Sequence, residues 1–556
     1  MNFMISKVKN RTNIILAIIV MLYSAIALFR LGEFNNPQSH WECQEKGYEL
    51  IFEFDEEIDL SAVVYYLGNY GNRKFQVLLG HGDPIQWEDA GQIVFSQVYQ
   101  WRAQNIGATV RSIKFITENV YTQIGELLFL DNSGNRIVPV NSRNYPELFD
   151  ESDSYQGKST YQTGTVFDEP VYARTAFEYL NGMRPYEDTH PPLGKLLIAP
   201  GIALFGMNTF GWRFSGTVAG ILIICLIAFF SQRMFSNPWI SVGVTSVFAC
   251  DFMLFTHTRL AQIDSFLVLF ILGMFYFLYL FGETLLDSSL ENKRRNTCIY
   301  IWLSGFSFGC AAACKWSGAY CIPGILGIFG SYLIIGFKKK AISNRELYYY
   351  IACFIPAFIL IPGVIYVLSY IPYIPVNQEL GFWEGMIQNQ INMFRYHTSL
   401  TAANAESAKW FQWPLIAVPI TFCDYVKNGM KECVYLLGNP ALWISGICAF
   451  FYCLYESLNS LNRKSLFLIV MYLSPLLPWM MVPRSSFIYH YFPCLPALAL
   501  MLGCFSESKK KYGLKLLFAI VVISIILFIM YYPILSGLPM SAEYVEFLEW
   551  FPWWDF

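Results

Sequence analysis

Long stretches almost free of charge constrain the fold of this chain more than any other feature. Charged residues make up 14% of its 556 residues, whereas an ordinary soluble protein carries about 25%. A membrane-spanning helix needs about 20 mostly apolar residues, and eleven stretches meet that need. The chain is therefore predicted to be a mainly α-helical, polytopic membrane protein. The predicted spans are Thr12–Leu31, Gly211–Phe230, Trp239–Thr256, Gln262–Phe281, Cys298–Lys315, Ser317–Ile335, Tyr350–Tyr370, Pro440–Cys453, Ser465–Val482, Phe487–Cys504 and Leu514–Tyr532.

Basic residues predict the orientation of these spans, because short cytoplasmic loops are rich in Lys and Arg. Every second connection is basic, which places the N-terminus in the cytoplasm and the C-terminus outside. The two long connections, Gly32–Asn208 and Ile371–Asn439, then both lie outside. The basic groups are Lys7, Lys9 and Arg11; Arg233; Lys293, Arg294 and Arg295; Lys338, Lys339 and Lys340; Arg463 and Lys464; and Lys509, Lys510 and Lys511.

The start of the chain has two interpretations. A basic beginning, a short apolar run and Ala25-Ile26-Ala27 fit a cleavable signal peptide. Apolar Leu28 and Phe29 follow directly and favour an uncleaved first helix. The sequence leaves both open.

Composition also excludes some functions. The net charge is −3 and no large basic patch occurs, so nucleic-acid binding is not expected. The 14 cysteines lie mostly in apolar runs and show no CxxC spacing. They are interpreted as small buried residues of membrane helices.

A polar insert, 38–148, differs from the rest of the chain. Turn residues such as Gly68-Asn69 separate short β-rich pieces, a pattern typical of an antiparallel sandwich. The insert loosely resembles discoidin-type jelly rolls, which often bind carbohydrate, and a purely structural or partner-docking module fits equally well. Trp87 and Trp101 suit stacking on a sugar or packing in the core. The predicted strands are Tyr48–Phe54, Ser61–Leu67, Phe75–Leu79, Ile93–Tyr99, Arg111–Thr117 and Ile124–Leu130.

The densest group of ionisable residues follows the insert. Phe167-Asp168-Glu169-Pro170 precedes a helical segment, Val171–Leu180, whose apolar side suits the membrane surface. The segment Glu187–Lys195 then reads Glu-Asp-Thr-His-Pro-Pro-Leu-Gly-Lys. Ionisable residues near a membrane are costly to bury and are often functional.

These residues resemble the first extracytoplasmic loop of the protein O-mannosyltransferases, members of the GT-C superfamily of polyprenyl-phosphate-sugar transferases. The resemblance covers the first span and everything after Val166. It departs from the family at the insert before Asp168 and at Asn404-Ala405-Glu406, which replaces the usual His-Pro-Tyr and bears on the acceptor. The further matching motifs, in order, are Arg259–Ser265; Cys314–Gly318; Arg395–His397 with Ser407–Trp410 and Trp413-Pro414; and Pro483-Arg484 with Phe487–Phe492.

The resemblance implies a role for each matching residue. A hydroxyl acceptor needs a carboxylate base; Asp168 is expected to be that base, and Glu169 to orient the acceptor or share the role. A phosphate leaving group needs cations, of which Arg259 is the first candidate. The other candidate cations are His190, Lys195, Lys315 and Arg484. The residues expected to position donor or acceptor are Asp188, Asp264, His397, Trp410 and His490.

Simpler structural roles fit several of the same residues. Asp168-Glu169-Pro170 is also an ordinary helix start, and one Asp can serve both purposes. Arg259 and Arg484 suit snorkelling anchors, and Lys315 suits a helix-end cation. His190-Pro191-Pro192 suits the junction of a loop and a helix. The resemblance favours catalysis for Asp168, and for Arg484 both interpretations stay open.

The sequence thus predicts a GT-C fold in four segments: 1–32, 38–148, 160–210 and 211–556, the last including an extracytoplasmic loop, 371–439. The predicted function is inverting transfer of mannose from polyprenyl phosphate to Ser or Thr hydroxyls of exported proteins. The alternatives are a cell-envelope glycan or lipid as acceptor, and a non-enzymatic sugar-binding scaffold or transporter. No cofactor or metal is expected. The expected partners are the lipid-linked sugar, its acceptor, membrane lipids and carbohydrate bound by the sandwich, in a bacterial plasma membrane.

Overall fold

A computed structural model describes most of the chain, and the described residues form two compact units. The described residues are 2–157, 159–287, 290, 292–373, 380–399, 405–427 and 429–556. The helical unit comprises Met1–Phe29, Thr175–Pro200 and Arg213–Phe556. The β unit comprises Arg30–Arg174 and Gly201–Trp212.

Helices dominate the described part of the chain. They are α1 (Asn2–Leu28), α2 (Glu169–Leu180), α3 (Leu193–Phe205), α4 (Thr209–Met234), α5 (Pro238–Ala249), α6 (Phe252–Thr258), α7 (Asp264–Leu286), α8 (Lys293–Cys314), α9 (Ile322–Lys338), α10 (Asn344–Ile355), α11 (Ile361–Ser369), α12 (Phe382–Ser399), α13 (Pro440–Ser460), α14 (Arg463–Leu476), α15 (Leu495–Ser508), α16 (Lys510–Ser536) and α17 (Ala542–Phe547).

Ten helical segments among the described residues are long and apolar enough to span a membrane. An eleventh is formed if α5 and α6 together make one span, although they are bent by 57° where they meet. The prediction of an integral membrane protein with about eleven spans is confirmed. Some spans contain short irregular turns, such as the π-turn at Pro356–Leu360 between α10 and α11, where proline lacks the backbone donor of a regular helix.

The predicted span Trp239–Thr256 is bent rather than straight, because its helix is interrupted at Asp251, between α5 and α6. The carboxylate of Asp251 accepts a hydrogen bond from the backbone N–H of Leu254 (2.9 Å) and so caps α6. Its other oxygen accepts from the indole N–H of Trp443 (2.8 Å). Asp251 is fully buried, and a buried carboxylate needs such donors. The break supplies them from the backbone and from α13.

The β unit contains an antiparallel sheet, which confirms the predicted β domain. Its strands follow the order β1-β6-β2-β5-β3-β4, with β7 paired to β6. Its core is apolar and includes Phe52, Phe75, Phe115 and Phe129, each at most 1% exposed. The strands are β1 (Trp41–Cys43), β2 (Glu49–Leu67), β3 (Arg73–His81), β4 (Gln86–Phe95), β5 (Trp101–Thr117), β6 (Thr122–Asp131) and β7 (Arg136–Ile137). In the helical unit, β8 (Ile420–Lys427) and β9 (Met430–Leu436) form a separate hairpin.

Two strand predictions need correction. The predicted strands Tyr48–Phe54 and Ser61–Leu67 are one strand, because β2 pairs with β5 along both halves and a register shift between Glu53 and Ile58 absorbs the acidic residues between them. The predicted strand Ile93–Tyr99 instead ends at Phe95. The backbone turns left-handed at Gln97 (φ 60°) and Tyr99 (φ 55°), which an extended strand does not allow.

Trp87 and Trp101, the two tryptophans of the insert that were considered for sugar stacking, have different environments. Trp101 is 2% exposed and packs against Tyr66 and Tyr155, with ring centroids 5.4 and 5.1 Å away. Trp101 is therefore a core residue. Trp87 is 38% exposed, and the ammonium of Lys114 lies over its ring, 4.7 Å from the ring centroid.

Candidate active site

Glu187 is the centre of a buried ionic cluster in the helical unit. One of its carboxylate oxygens accepts from Nδ1 of His190 (2.9 Å) and from the backbone N–H of Thr189 (2.9 Å). The other oxygen pairs with the ammonium of Lys195. Lys195 is fully buried, and it also donates to the carbonyls of His190 (2.7 Å) and Glu187 (3.3 Å). Its three N–H groups are thus all used to hold this loop.

The charges of this cluster follow from the surroundings of each group. Burial alone would raise the pKa of Glu187, but the charge of Lys195 and the hydrogen bonds from His190 and Lys195 outweigh it and lower that pKa. Burial lowers the pKa of His190, so its ring is neutral at neutral pH. The Nδ1–H then donates to Glu187 and leaves Nε2 as an acceptor. Burial, and then the charge of Glu187, raise the pKa of Asp188.

Helix α2 supports the loop from one side. The hydroxyl of Thr175 accepts from the backbone N–H of Glu187 (3.0 Å), and the carboxylate of Glu178 accepts from that of Tyr186 (2.6 Å). Thr175 and Glu178 are three residues apart and therefore lie on the same face of the helix. They fix the backbone of the loop just before its ionic residues.

Helix α12 supports the loop through two consecutive carbonyls. The amide of Asn389 donates to the carbonyl of Asp188 (2.8 Å), and Nε2 of His397 donates to that of Thr189 (2.8 Å). The sequence motifs drew attention to His397 but not to Asn389, which lies two turns earlier on the same helix. Sequence reasoning missed Asn389 because only the tertiary structure brings α12 to this loop.

His397 also binds Arg484, and the two contacts determine its tautomer. Since a carbonyl can only accept, the ring proton lies on Nε2, towards Thr189. Nδ1 is then the acceptor for the guanidinium of Arg484, 3.0 Å away. Burial, and then the charges of His190 and Arg484, lower the pKa of His397 to about 4. His397 is therefore a neutral partner for Arg484 at neutral pH.

Lys315 and Asp264 form a second buried ion pair. The ammonium of Lys315 lies 3.0 Å from both carboxylate oxygens of Asp264, and both side chains are about 5% exposed. Lys315 follows α8 in extended backbone, and Asp264 begins α7. Next to Lys315, the indole of Trp316 donates to the hydroxyl of Tyr366 (3.0 Å), and its ring centroid lies 6.2 Å from that of His397. The motif Cys314–Gly318 therefore borders the same region as His397.

His490, in the late motif Phe487–Phe492, is surrounded by aromatic rings. Its ring stacks on Trp413 (5.8 Å) and contacts Trp479 (4.0 Å), with distances between ring centroids. Nδ1 lies 3.0 Å from the carbonyl of Phe487. Trp410, which the sequence proposes as a positioning residue, packs on Phe411 (5.8 Å), and its role stays a prediction. Of the two tryptophans in its motif, Trp413 is the one that stacks on His490.

Arg259 is fully buried at the end of α6. Its Nε donates to the carbonyl of Ala27 (3.0 Å) and its Nη2 to that of Phe29 (2.9 Å). These carbonyls lie at the C-terminus of α1, where helical carbonyls lack partners within the helix and a cation is favourable. Arg259 therefore secures the end of the first span.

Asp168 and Glu169 lie in the β unit at the start of α2. The carbonyl of Asp168 accepts from the backbone N–H groups of Val171 and Tyr172, both at 3.0 Å, as expected of a residue that precedes a helix. The carboxylate of Glu169 is buried and accepts from the backbone N–H of Val166 (3.0 Å). Glu169 therefore holds the turn, whereas Asp168 is partly exposed.

His257 is a buried residue that sequence reasoning missed. It is fully buried, and its ring stacks on Tyr489 with centroids 5.7 Å apart. Within the described part of the chain, neither of its ring nitrogens has a hydrogen-bond partner. A buried polar group without a partner is costly, so His257 is a further candidate for contact with substrate. Its position two residues before Arg259 was the available signal.

The described residues contain no group of three His, Cys, Asp or Glu side chains arranged to hold a metal ion. The acidic side chains of the two buried groups instead form ion pairs, Glu187 with Lys195 and Asp264 with Lys315. It provides cations and neutral imidazoles, the groups that bind an anionic, hydroxyl-rich ligand.

Comparison with known proteins identifies the family. Residues 158–374 match the dolichyl-phosphate-mannose-protein mannosyltransferase family. Residues 382–554 match the C-terminal four-transmembrane region of protein O-mannosyltransferase. Together these matches cover more than half of the chain and include every residue of the cluster described above.

Individual proteins give the same result. Polyprenol-phosphate-mannose–protein mannosyltransferase from Mycolicibacterium smegmatis is 26% identical over 72% of this chain and 89% of its own. The enzyme of that name from Mycobacterium tuberculosis is 24% identical over 70% of this chain and 86% of its own.

A solved structure confirms the predicted GT-C fold. The Saccharomyces cerevisiae protein O-mannosyltransferase Pmt1–Pmt2 complex bound to the sugar donor has a TM-score of 0.61. The sequence identity is 14%, and the match covers 70% of this chain and 89% of that chain. The chain therefore belongs to the dolichyl-phosphate-mannose–protein mannosyltransferase family and is an integral membrane glycosyltransferase.

Proposed function

We propose that this enzyme transfers mannose from polyprenyl phosphate to Ser or Thr hydroxyls of exported proteins, on the non-cytoplasmic side of the membrane. The names of the mycobacterial relatives support this donor and a protein acceptor. The observation that carries the proposal is the buried cluster around Glu187, in which His190, His397 and Arg484 come together. The competing acceptor, a cell-envelope glycan or lipid, is an outcome of the test below.

In the proposed reaction, the acceptor hydroxyl oxygen attacks the anomeric carbon of the sugar. The bond from that carbon to the phosphate oxygen breaks, and polyprenyl phosphate leaves with the electron pair. The hydroxyl proton passes to the carboxylate of Asp168, and a single displacement inverts the anomeric centre. Glu169 acts indirectly, because its bond to the N–H of Val166 holds the turn that presents Asp168.

Charge compensation decides which cation we assign to the leaving phosphate. Lys195 is neutralised by Glu187, and Lys315 is neutralised by Asp264. Arg484 instead contacts His397, whose neutral Nδ1 adds no negative charge. Among the described residues, Arg484 contacts this neutral ring and forms no ion pair with a carboxylate, so we propose that it meets the developing charge on the phosphate. Arg259, which lies at the end of α6 and binds carbonyls at the end of α1, is the second cation proposed for this charge.

The remaining site residues are proposed to position the substrates. Asp188 and His190 lie on the loop held by α2 and α12, and we propose that they position the sugar. Lys195 acts through Glu187, which fixes the orientation of His190. Asp264 orients Lys315, and His490 lies among aromatic rings that suit the faces of a sugar.

The test uses purified full-length protein with synthetic polyprenyl-phosphate mannose and a pool of Ser/Thr peptides and glycans. We expect wild type to glycosylate peptides and Asp168→Asn to be about 10²–10⁴-fold slower, the usual contribution of a general base. Asp153→Asn is the matched control, because Asp153 is a fully exposed carboxylate of the same unit. Equal rates for wild type and Asp168→Asn would refute the role of Asp168. Labelling of glycans alone would refute the protein acceptor.

We further propose that the enzyme needs no cofactor and no metal ion, because cations of the protein can stabilise the phosphate. Transfer should then continue after dialysis against EDTA. Loss of transfer that added Mg²⁺ or Mn²⁺ restores would contradict this.

We also propose that the enzyme lies in a bacterial plasma membrane. Its N-terminus is proposed to lie in the cytoplasm, and the basic connections support this orientation. Single cysteines placed at exposed Lys338 and in the β unit, in a background without other reactive cysteines, should label from opposite sides of sealed cells. Labelling from the same side would refute this orientation.

A further inference from the structure

A groove on the surface of the helical unit lies apart from the ionic cluster. Its volume is about 1080 Å³, and it is formed by α8 on one side and by residues of α10 and α11 on the other. Cations lie at one end and apolar side chains along the rest. The lining residues used below are Arg294, Arg295, Ile299, Trp302, Phe306 and Tyr349.

The cationic end is built by the first turn of α8. Arg294 and Arg295 are both exposed, and the guanidinium of Arg294 lies 3.8 Å above the ring of Tyr349, which holds it at the mouth of the groove. The ammonium of the preceding Lys293 donates to the carbonyl of Ala341 (2.9 Å). This contact brings the connection with Lys338, Lys339 and Lys340 to the same end.

One acidic residue near the groove, Glu346, is already engaged. The carboxylate of Glu346 accepts from the backbone N–H and the hydroxyl of Ser343, both at 2.8 Å, in the capping box that begins α10. Among the described residues that line the groove, the charged side chains are Arg294 and Arg295, so the lining at the mouth is positively charged.

The apolar part has the length of one membrane leaflet. Ile299, Trp302, Leu303 and Phe306 follow a helical spacing on one face of α8 and are 37–50% exposed. Phe306 lies eleven residues beyond Arg295, which corresponds to about 17 Å at the rise of an α-helix. Half of the hydrocarbon thickness of a bilayer is about 15 Å. An acyl chain whose headgroup lies at Arg295 therefore ends near Phe306.

We propose that this groove is a binding site for an anionic phospholipid. The phosphate and headgroup contact Arg294 and Arg295, and an acyl chain lies along Ile299, Trp302 and Phe306. The charge at the mouth favours an anionic over a zwitterionic lipid, because juxtamembrane cations attract negative headgroups. This site would make the enzyme dependent on the lipid composition of its membrane, separately from its lipid-linked substrate.

The test measures lipid binding to the intact protein by native mass spectrometry in detergent. Phosphatidylglycerol, phosphatidylcholine and undecaprenyl phosphate are titrated into wild type and the double variant Arg294→Ala/Arg295→Ala. Lys509→Ala/Lys510→Ala is the matched control, because it removes two cations from a connection between other helices, α15 and α16. A circular dichroism melt of each protein shows that it is folded, and Arg294→Gln/Arg295→Gln replaces the alanine pair if that variant unfolds.

We expect phosphatidylglycerol to bind wild type more tightly than phosphatidylcholine does. The arginine variant should lose about 30-fold in affinity for phosphatidylglycerol, the effect of two juxtamembrane cations, and the lysine control should not. Equal loss in both variants would show a diffuse charge effect and overturn the site. Displacement of phosphatidylglycerol by stoichiometric undecaprenyl phosphate would assign the groove to the carrier lipid and overturn the proposal.

Discussion

Replacing Lys195 by Met tests whether the buried ion pair with Glu187 holds the site loop. Met has a similar length and no charge, so the substitution removes the ammonium with little change in volume. Glu187 is then left as a buried carboxylate whose remaining donors come from Thr189 and His190.

The expected magnitude follows from burial. The side chains of Lys195 and Glu187 are 0% and 5% exposed, and removing one partner of a buried pair costs about 3–5 kcal/mol. The donors from Thr189 and His190 still stabilise the carboxylate, so we expect the lower end, about 3 kcal/mol. Adding Glu187→Gln removes the orphaned charge as well and should recover about 2 kcal/mol. The double variant is therefore expected to be more stable than Lys195→Met alone.

The assay is the free energy of unfolding in mixed micelles, followed by tryptophan fluorescence as the fraction of denaturing detergent rises. Lys464→Met is the control, since its pair with Glu507 is 32% and 26% exposed and should contribute at most about 1 kcal/mol. Two results would refute the reasoning: a loss in Lys195→Met no larger than in Lys464→Met, or a double variant no more stable than Lys195→Met.

Three further predictions concern other parts of the fold. The unfolding free energy should fall as pH drops from about 6.5 to 4. In that range His397 takes up a proton in the unfolded state, whereas its pKa is lowered to about 4 in the folded protein. Unfolding titrations at several pH values should therefore show a smaller pH dependence for His397→Gln. Asp251→Ala should destabilise the protein by about 2 kcal/mol, because α6 loses its cap and the indole of Trp443 loses its acceptor; Asp251→Asn, which keeps an acceptor, should lose less in the same assay. Gly318→Ala should lower both the melting temperature and the rate of mannose transfer, because the added Cβ would lie 2.6 Å from a backbone carbon of α8. Gly330→Ala is the control, because a Cβ added at Gly330 would have no atom within 4 Å.

Much of the architecture was predictable because its signals are local. Hydropathy over about 20 residues defines a span without knowledge of its neighbours, and alternation with turn residues defines strands. The exceptions were positions where a distant partner matters. Asp251 breaks a span because Trp443 is near it in the fold, and the acidic residues after Glu53 did not end β2 because β5 pairs with it on both sides of a register shift.

The site was predictable to the extent that its motifs stand in order along the chain. Asp168, His190 and Arg484 were singled out from such motifs. Asn389 and His257 carry no comparable pattern, since one is defined by its bond to a carbonyl 201 positions away and the other by burial without partners. The motif that contains Trp410 also contains Trp413, which stacks on His490, while Trp479 contacts the same ring from outside that motif. Asn404 lies outside the described residues, and the bearing of Asn404-Ala405-Glu406 on the acceptor stays a prediction.

The sequence alone determined the class of protein, the approximate spans, the antiparallel domain and the family, because hydropathy, alternation and ordered motifs are properties of the chain itself. The tertiary structure decided which charges compensate each other. Lys195, Lys315 and Arg484 are equivalent cations in the sequence, yet two are neutralised by buried carboxylates and one rests on a neutral imidazole. Electrostatic energy depends on distance and burial, and residues far apart in the chain acquire both only when it folds.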